Sequence, residues 1–271
     1  MIVEQMLKNA QTPLLHIADV SGNALFQGDC LEIMPLIPDA SVDMILTDPP
    51  YGTTGCKWDS VIPFEPMWEQ LKRIIKPNGA IVLFGSEPFS SALRMSNIKQ
   101  YKYDWKWEKH KPSNFALAKK QPMKYYEDII IFYKKQPTYN PQMIKRESER
   151  VKQWQKVDYI KTSTNKWELN SLKTVSRSFN EYDCELKLPS MNLKINAVQG
   201  NSREKVWHPT QKPVELMEYL IKTYTNENET VLDFTMGSGT TCLAAKELNR
   251  KFIGIEKETN YYEIACQRCG F

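Results

Sequence analysis

Short, continuous apolar runs that end at turn signals constrain this sequence most. Residues 42–46 (VDMIL), 80–84 (AIVLF) and 128–133 (DIIIFY) are such runs. Runs of this length and composition are typical of strands that are buried on both faces of a sheet. Helix-like spacing between them, as in residues 66–75, indicates that strands alternate with helices. The sequence therefore predicts an α/β fold with a mostly parallel sheet and helices on both of its faces.

The same alternation returns near the C-terminus. An amphipathic helix is predicted over residues 213–224, and strands are predicted over residues 230–234 (TVLDF) and 252–255 (FIGI). A final helix is predicted from about residue 259 to 269. Earlier in the chain, residues 76–79 (KPNG) carry a turn signal directly after a helical pattern.

The chain length of 271 residues suits one large domain, or one domain with a sizeable insertion. No apolar run approaches the roughly 20 residues that a membrane helix needs. Residues 1–15 predict a short amphipathic helix and lack the cleavage pattern of a signal peptide. We therefore expect a cytoplasmic protein with no membrane partner.

The six cysteines are irregularly spaced, which argues against a disulfide framework. Cys266 and Cys269 form a C-x-x-C pair at the end of the chain, but no second Cys or His pair has matching spacing. Because a zinc site needs about four ligands, no metal site is predicted. The pair is interpreted as two small residues on the last helix.

The excess of basic over acidic residues is confined to the middle of the chain. Residues 99–205 carry 23 basic and 12 acidic residues, whereas residues 1–98 carry 6 basic and 11 acidic residues. Secondary-structure periodicity weakens between residues 134 and 205, which indicates an insertion with irregular structure or small strands. The charge favours a polyanionic partner that faces this insertion, and the alternative is a solvated lysine-rich surface.

The motif Asp48-Pro49-Pro50-Tyr51 directly follows a predicted buried strand. Ligands bind at the carboxyl ends of strands in open α/β sheets. Consecutive prolines fix the backbone and remove two N–H donors. An acid, a rigid carbonyl and an aromatic ring at one strand end can accept hydrogen bonds from an amino group and stack on a planar base. The alternative interpretation is a rigid surface turn.

A second motif, DFTMGSGTT over residues 233–241, also follows a strand and begins a helix. Glycines let a backbone approach a ligand closely, and a helix N-terminus offers free N–H donors. The motif is neither a P-loop nor G-x-G-x-x-G. The next strand ends in Glu256, where a carboxylate can accept hydrogen bonds from ribose hydroxyls. These features together predict a site for an adenosine-type cofactor.

The two motifs, in this order, resemble those of the β group of DNA amino-methyltransferases. In that family the D-P-P-Y motif precedes the glycine-rich motif, and a target-recognition region lies between them. Residues 27–30 (QGDC) resemble the family's segment that contacts the cofactor adenine. Residues 207–213 (WHPTQKP) resemble the segment that closes over the methionine end of the cofactor, so Lys212 is expected near the methionine carboxylate.

One segment departs from the family pattern. Residues 233–235 read Asp-Phe-Thr, where the family more often has Asp-Pro-Phe. We expect a small change in how this loop packs on the cofactor, without loss of binding.

The resemblance implies the Rossmann-like fold of S-adenosylmethionine-dependent methyltransferases, circularly permuted, with an inserted target-recognition region. Residues 1–133 would form the catalytic part, residues 134–205 the target-recognition region and residues 206–271 the cofactor-binding part. The implied catalytic residues are Asp48, Pro49, Pro50 and Tyr51. The implied residues for binding S-adenosylmethionine are Asp29, Cys30, Asp48, Lys212, Asp233, Phe234, Gly237, Gly239, Thr240, Thr241 and Glu256.

The expected reaction follows from the chemistry of an exocyclic amine, whose lone pair is delocalised into the base. Hydrogen bonds from the amine to the Asp48 carboxylate and the Pro49 carbonyl would draw the nitrogen toward a tetrahedral, nucleophilic geometry. The base must leave the duplex to be reached, so we expect base flipping with Tyr51 as a stacking face. The chain contains no Pro-Cys dipeptide of the kind expected for cytosine-5 methylation.

The family relation between motif and base favours N6 of adenine, because D-P-P-Y goes mostly with adenine and S-P-P-Y mostly with N4 of cytosine. The expected substrate is a specific sequence in double-stranded DNA. The alternatives are an N4-cytosine DNA methyltransferase, an RNA or protein amino-methyltransferase, and a catalytically silent nucleic-acid-binding module. A homodimer and a cognate restriction endonuclease are compatible with the resemblance.

The basic insertion is expected to contact DNA. Its candidate phosphate contacts are Lys145, Arg146, Arg150, Lys152, Lys156 and Lys161. Its candidates for base-edge or wedge contacts are Trp154, Tyr159, Asn165, Trp167, Asn170 and Arg177. Outside the insertion, the polar stretch that contains Asn114 and Phe115 is a candidate for a loop that closes over the flipped base.

Overall fold

The computed structural model describes residues 2–10, 14–19, 21–54, 56, 59–146, 185–200 and 202–271. The chain divides into two compact units. Unit 1 comprises residues 1–140 and 191–271, and unit 2 comprises residues 141–190.

Unit 1 contains seven α-helices and nine strands among its described residues. The helices are α1 (Ile2–Asn9), α2 (Cys30–Ile33), α3 (Phe64–Ile74), α4 (Phe89–Ser96), α5 (Val214–Tyr224), α6 (Thr240–Glu247) and α7 (Thr259–Cys269). The strands are β1 (Leu15–Ala18), β2 (Ala24–Gln27), β3 (Val42–Thr47), β4 (Ile75–Gly85), β5 (Tyr101–Glu108), β6 (Tyr126–Phe132), β9 (Asn192–Lys194), β10 (Thr230–Asp233) and β11 (Lys251–Glu256). Unit 2 contributes β7 (Ile144–Lys145) and β8 (Leu186–Lys187).

The nine strands form one sheet in the order β1-β2-β11-β10-β3-β4-β6-β5-β9. The five strands from β2 to β4 in this order pair in parallel, and β6 runs antiparallel to both of its neighbours. Strand β10 pairs with β3 through Val231 opposite Met44 and Leu232 opposite Ile45. The strand before the glycine motif therefore lies beside the strand that Asp48 follows.

Two hydrophobic clusters cover the two faces of the sheet. One contains buried side chains of α5, α6 and α7 together with alternate residues of the central strands, such as Met44 and Leu46 of β3. The other contains buried side chains of α1 to α4 together with the remaining strand residues, such as Ile45. Alternation along each strand sends successive side chains to opposite faces, so helices cover both faces as predicted.

Two details differ from the sequence expectation. Strand β6 contains the apolar run of residues 128–133 almost entirely, yet it is antiparallel to β4. The turn signal of residues 76–79 lies inside β4, where the register shifts between Val42 opposite Ile75 and Met44 opposite Ala80. The β4 chain thus advances five residues while β3 advances two, and the proline and glycine accommodate this irregularity.

Unit 2 comprises residues 141–190 of the predicted insertion, residues 134–205. Residues 191–200 belong to unit 1, where β9 pairs in parallel with β5 through Leu193 opposite Trp107. Leu193 and Ile195 are buried and join the core. The sequence gives little signal for this edge strand, because only three residues form it and two of them are the exposed Asn192 and Lys194.

Unit 2 pairs β7 with β8 in antiparallel fashion. Lys145 is exposed on β7, and the Arg146 guanidinium donates to the Leu186 carbonyl at 2.9 Å. The other proposed DNA contacts lie outside the described residues, namely Arg150, Lys152, Trp154, Lys156, Tyr159, Lys161, Asn165, Trp167, Asn170 and Arg177.

None of the helices in the described part of the chain has the length and apolar character needed to cross a bilayer. Among the same residues, no three His, Cys, Asp or Glu side chains are grouped in a way that would hold a metal ion.

Packing around Gly254 leads to a stability prediction. A Cβ at this position would lie 2.3 Å from Met236 Sδ, 2.7 Å from Leu25 Cδ2 and 2.8 Å from Cys242 Sγ. We expect Gly254→Ala to lower the free energy of unfolding by about 1–3 kcal/mol, because overpacking a dense core forces its neighbours apart. Urea denaturation measures this change. Gly200→Ala is the control, since a Cβ there meets no atom within 4 Å; equal midpoints for the two variants would contradict the prediction.

Candidate active site

A cavity of about 950 Å³ lies at the carboxyl ends of the central parallel strands. Its wall includes Asp29 after β2, Asp48 after β3, Thr235 after β10 and Glu256 at the end of β11. The volume is near the upper end of the range for small-molecule sites, roughly 300–1,000 Å³. Both sequence motifs therefore meet in one cavity.

Asp48 has three kinds of partner in this cavity. Its Oδ1 accepts a hydrogen bond from the Tyr51 hydroxyl at 2.5 Å, and its Oδ2 accepts one from the Lys212 ammonium. Its backbone carbonyl accepts from the Thr235 hydroxyl at 3.2 Å. The neighbouring Pro49 carbonyl receives no hydrogen bond from any residue that the structure describes. The strand end thus offers a fixed carboxylate beside an open carbonyl.

Asp59 fixes the loop that follows Tyr51. Its carboxylate accepts hydrogen bonds from the backbone N–H groups of Gly52 at 2.9 Å, Thr53 at 2.9 Å and Thr54 at 2.6 Å. These bonds lower the pKa of Asp59 although partial burial opposes them. A carboxylate that satisfies three successive donors holds the turn rigid, and this keeps Tyr51 in place.

The Tyr51 ring is half-buried and stacks on Phe89, with ring centroids 5.1 Å apart and planes inclined by 28°. Burial, and then the charge of Asp48, raise the pKa of the Tyr51 phenol. The hydroxyl therefore stays protonated and donates to Asp48. Tyr51 also lines the cavity, so its ring is available as a wall for a planar ligand.

Asp48 ends a row of four buried or partly buried charged side chains that alternate in sign. Lys109 Nζ lies 2.6 Å from Glu127 Oε1, and Glu127 Oε2 lies 3.3 Å from Lys212 Nζ, which contacts Asp48 in turn. The Lys109 and Lys212 side chains are only 6% and 7% exposed. The Lys212 ammonium also lies 5.1 Å from the centre of the Phe84 ring. This set is called the charge chain below.

Burial and neighbouring charge act in opposite directions within the charge chain. Burial raises the pKa of Asp48, the Glu127 carboxylate adds to that rise, and Lys212 opposes it. Burial would also raise the pKa of Glu127, but Lys212 and Lys109 outweigh it and the pKa is lowered. For Lys212, the attraction of Asp48 and Glu127 outweighs burial and raises the pKa. Glu127 and Lys212 therefore remain charged at neutral pH.

The glycine motif forms a turn between β10 and α6 that needs left-handed backbone. Gly237 has φ of 52° and Gly239 has φ of 74°. A Cβ at Gly237 would lie 2.8 Å from His208 Nε2, and a Cβ at Gly239 would lie 2.8 Å from the Ala265 Cβ. Both positions therefore require glycine for conformation and for space. Thr240 and Thr241 begin α6 and line the cavity.

Glu256 ends β11 with its carboxylate turned toward the glycine turn. One oxygen accepts from the Gly237 N–H at 2.8 Å and the other accepts from the Glu258 N–H at 2.8 Å. Burial raises the pKa of Glu256, and these two backbone donors oppose the rise. Each carboxylate oxygen retains a further lone pair for a donor in the cavity.

Hydroxyl groups connect the carboxyl end of β10 to the carboxyl end of β3. The Thr47 hydroxyl donates to the Asp233 carboxylate and lies 2.8 Å from the Thr235 hydroxyl, which donates to the Asp48 carbonyl. Burial raises the pKa of Asp233 to about 6, against hydrogen bonds from Thr241 and Thr47. Phe234 is buried in the core at this point. Thr235 stands where the family pattern more often has Phe, and its hydroxyl donates a hydrogen bond that fixes the Asp48 backbone.

Asp29 and Cys30 follow β2 at the rim of the cavity. The Asp29 carboxylate accepts from the Leu31 N–H at 2.9 Å, which caps α2, and it pairs with Lys257 at 3.1 Å. Burial raises the pKa of Cys30 to about 12, so its thiol is inert. Both residues line the cavity, and their contact with the cofactor stays a prediction.

The segment before α5 closes one side of the cavity. The His208 ring lies 4.4 Å from the Tyr261 ring and covers Gly237. Burial lowers the pKa of His208 to about 4, with smaller contributions from the nearby Lys212, Lys205 and Arg268, so the ring is neutral at pH 7. Lys212, which the sequence analysis expects near the cofactor carboxylate, contacts Asp48 and Glu127.

A loop at the cavity mouth presents an exposed aromatic side chain. The Asn114 side chain joins the two ends of this loop, because its Oδ1 accepts from the Lys124 N–H at 2.6 Å and its Nδ2 donates to the Pro122 carbonyl at 3.0 Å. Asn114 and Lys124 line the cavity. Phe115 is 76% exposed between them.

Sequence reasoning missed several residues of the site, among them Asp59, Lys109, Glu127 and Thr235. Glu127 stands directly before the apolar run of residues 128–133, and a charge next to a fully buried strand was a signal for a functional side chain. Lys109 and Asp59 carry no such signal, since loop lysines and aspartates are common. Only the fold reveals their partners.

Comparisons with known proteins agree with this geometry. Residues 42–267 match the DNA methylase family of N6 and N4 methyltransferases. The Type II methyltransferase M1.MboII of Moraxella bovis is 29% identical over 260 residues, which cover 90% of this chain and 95% of that protein.

Solved structures give the same relation. The crystal structure of the M1.HpyAVI–SAM complex is 26% identical, with a TM-score of 0.60 and coverage of 91% of this chain and 98% of that one. The PvuII DNA methyltransferase (cytosine-N4-specific) has a TM-score of 0.64 over 91% of this chain and 86% of that one, and at 18% identity it shows a shared fold. The chain belongs to the DNA methylase family and is an S-adenosylmethionine-dependent DNA methyltransferase of the β group.

Proposed function

We propose that this methyltransferase modifies N6 of an adenine that is flipped out of a specific double-stranded DNA sequence. The observation that carries the proposal is the strand end at Asp48, where a fixed carboxylate lies beside the open Pro49 carbonyl in the same cavity as the glycine turn. Two acceptors in this arrangement match the two hydrogens of an exocyclic amine.

The residues at the other end of the cavity fit S-adenosylmethionine. Gly237 and Gly239 shape the left-handed turn that forms a cradle at the cavity wall, and α6 begins there with free N–H groups. The buried Glu256 carboxylate faces this cradle and suits ribose hydroxyls. Asp29 and Cys30 suit the adenine, and Asp233, Phe234, Thr240 and Thr241 support the turn.

Lys212 has two proposed contacts with ligands. Its ammonium is directed at Asp48 and Glu127 in the structure, and it borders the cavity beside His208. We propose that the carboxylate of a bound methionine moiety also lies within reach of the Lys212 ammonium. It then contributes to cofactor binding and to the geometry of Asp48.

When bound, the cofactor supplies an electrophilic methyl group on a sulfonium, so that an N–C bond forms as a C–S bond breaks. The protein raises the reactivity of the amine by accepting its two hydrogens at the Asp48 carboxylate and the Pro49 carbonyl. The methylated nitrogen carries a positive charge and loses one proton, for which Asp48 is the adjacent acceptor. Alignment of the amine by these two fixed acceptors is the main catalytic contribution.

The family relation between motif and base favours adenine over cytosine, because D-P-P-Y goes mostly with adenine. Hydrogen bonds from Tyr51 and Lys212 hold the Asp48 carboxylate of this motif in place. The alternative of N4-cytosine uses the same acceptors, and RNA or protein substrates present a similar amine. A labelled product distinguishes all of these.

Extrusion of the base is supported by the shape of the cavity mouth. Tyr51 offers an aromatic wall inside, and Phe115 offers an exposed ring outside, on a loop that also carries Lys119, Lys120 and Lys124. We assign Phe115 to the gap that a flipped base leaves in the duplex. The basic residues of the insertion then contact phosphates as the target-recognition region.

Two partners beyond DNA belong to the proposal. The relatives are Type II methyltransferases, which supports a cognate restriction endonuclease. The proposal also includes a homodimer, which is compatible with the family resemblance. It includes a cytoplasmic location, because the proposed substrate is DNA.

Replacing Asp48 tests the function directly. We expect Asp48→Asn to reduce methyl transfer to unmodified duplex DNA by about 100-fold or more, because it removes the anionic acceptor for the amine. The assay transfers label from S-adenosylmethionine, digests the DNA and identifies the nucleoside. Asp39→Asn, on an exposed carboxylate, is the control and should match wild type.

The labelled nucleoside decides between the candidate substrates. N6-methyldeoxyadenosine supports the proposal, and N4-methyldeoxycytidine overturns the base assignment. Label in RNA or protein, with none in DNA, overturns the DNA substrate.

Replacing Glu256 tests the cofactor site. We expect Glu256→Gln to weaken S-adenosylmethionine binding about tenfold, since a buried hydrogen bond to a charged group contributes roughly 1.5–3 kcal/mol. Isothermal titration calorimetry measures the dissociation constant. The exposed Glu247 on α6 provides the control as Glu247→Gln; an unchanged constant for Glu256→Gln would remove Glu256 from the cofactor site.

Replacing Phe115 tests its assigned position. We expect Phe115→Ala to lower the fluorescence of 2-aminopurine at the target position and to slow methylation about tenfold, because base–aromatic stacking contributes roughly 1–3 kcal/mol. A target adenine opposite an abasic site should restore the rate, since less stacking is lost on flipping. Met95→Ala, which replaces another exposed side chain, is the control. Wild-type fluorescence in Phe115→Ala would refute this assignment.

A further inference from the structure

The charge chain places a second carboxylate within reach of the lysine that contacts Asp48. Glu127 Oε2 is buried and lies 3.3 Å from Lys212 Nζ, yet it accepts no hydrogen bond among the described residues. The other oxygen, Oε1, accepts from Lys109 at 2.6 Å. Glu127 Oε2 is therefore in an ion pair with Lys212, while the shorter contact of the Lys212 ammonium is with Asp48.

A buried carboxylate oxygen that has an ion-pair partner at 3.3 Å gains a stronger hydrogen bond if that partner moves closer. Lys212 donates to Asp48 Oδ2, and Asp48 Oδ1 already accepts from Tyr51. A target amine that binds Asp48 must therefore compete with an ammonium for the same carboxylate. A lysine displaced from Asp48 has Glu127 as its nearest replacement partner.

The remaining contacts of Lys212 are compatible with a short movement. The ammonium lies 5.1 Å from the Phe84 ring centre and 5.9 Å from the Trp107 ring centre, so aromatic faces surround it between the two carboxylates. Its charge is thereby stabilised on either carboxylate without a return to water. Lys109 stays on the far side of Glu127 and holds that carboxylate in place.

We propose that Glu127 is a positioning residue for methyl transfer, which takes the Lys212 ammonium from Asp48 when the target amine binds there. The inference rests on the proposed function, because it concerns the amine acceptor at Asp48. Glu127 touches neither substrate nor cofactor in this account. It acts through Lys212, and Lys109 acts through Glu127.

The direction of the electrostatic effects agrees with this role. Glu127 raises the pKa of Asp48, whereas Lys212 lowers it. The titratable and charged groups that face Asp48 are Tyr51 on its own loop, Lys212 before α5, Glu127 on β6 and Asp233 on β10, with Lys109 behind Glu127 and His208 beside Lys212. Removing either Glu127 or Lys109 therefore changes the charge that Asp48 experiences, in opposite senses.

The test compares Glu127→Gln with Lys109→Met across a pH profile of kcat and kcat/KM for methylation of duplex DNA. Glu127→Gln leaves Lys212 on Asp48, so kcat should fall at least tenfold. The acid limb of the profile should move to lower pH, because loss of the nearby Glu127 charge lowers the pKa of Asp48. In Lys109→Met, Glu127 loses its other cationic partner and attracts Lys212 more strongly. Lys212 then stabilises the Asp48 carboxylate less, so the acid limb of this variant's profile should move to higher pH.

Controls separate this role from a structural one. Glu108→Gln changes a partly exposed carboxylate on β5, one residue from Lys109, and should leave the profile in place. Calorimetry with S-adenosylmethionine should give wild-type affinity for Glu127→Gln and Lys109→Met, because neither residue contacts the cofactor. If Glu127→Gln does not fold, Lys109→Met alone decides through the direction of its shift.

Opposite shifts of the two acid limbs support the inference. Unmoved limbs, or shifts in the same direction, in variants that bind the cofactor normally would overturn it and leave the proposed function intact. Absence of wild-type transfer to DNA would instead overturn the proposed function, and the inference with it.

Discussion

The parallel pairing of β3 with β10 is the constraint on which the site depends. It brings the carboxyl end that carries Asp48 beside the one that carries the glycine turn, with Leu232 opposite Ile45. The Thr47 and Thr235 hydroxyls then tie the two ends together through Asp233 and the Asp48 carbonyl. Because parallel strands end at the same edge of a sheet, Asp48, Pro49 and the glycine turn line one cavity without any long-range adjustment.

Buried charge is the second element of the site. Asp48, Glu127, Lys212 and Lys109 alternate in sign, and together they are neutral, so each charge is compensated away from water. Breaking such a chain at one member leaves an uncompensated buried charge, which is strongly destabilising. The arrangement also explains why the catalytic carboxylate stays in one orientation before any ligand arrives.

Much of the fold could be predicted from the sequence, because the central strands are short apolar runs that favour buried strands over other secondary structure. Val42–Thr47 and Thr230–Asp233 are buried along almost their whole length. Lys109 could not be predicted, and neither could the partners of Glu127, since these contacts are set by the antiparallel pairing of β5 with β6. The edge strand Asn192–Lys194 was hidden for a similar reason: Leu193 is its only buried residue.

The central claim is that Asp48 and the Pro49 carbonyl receive the target amine in front of the bound cofactor. A crystal structure of the protein with sinefungin and a duplex that contains its recognition sequence tests this most directly. The account predicts an extrahelical adenine whose N6 lies about 2.7–3.2 Å from an Asp48 carboxylate oxygen and from the Pro49 carbonyl oxygen. It also predicts that the Lys212 ammonium is nearer to Glu127 than to Asp48. A base that stays stacked in the duplex, or an amine directed away from Asp48 in a complex with bound sinefungin, would contradict the account.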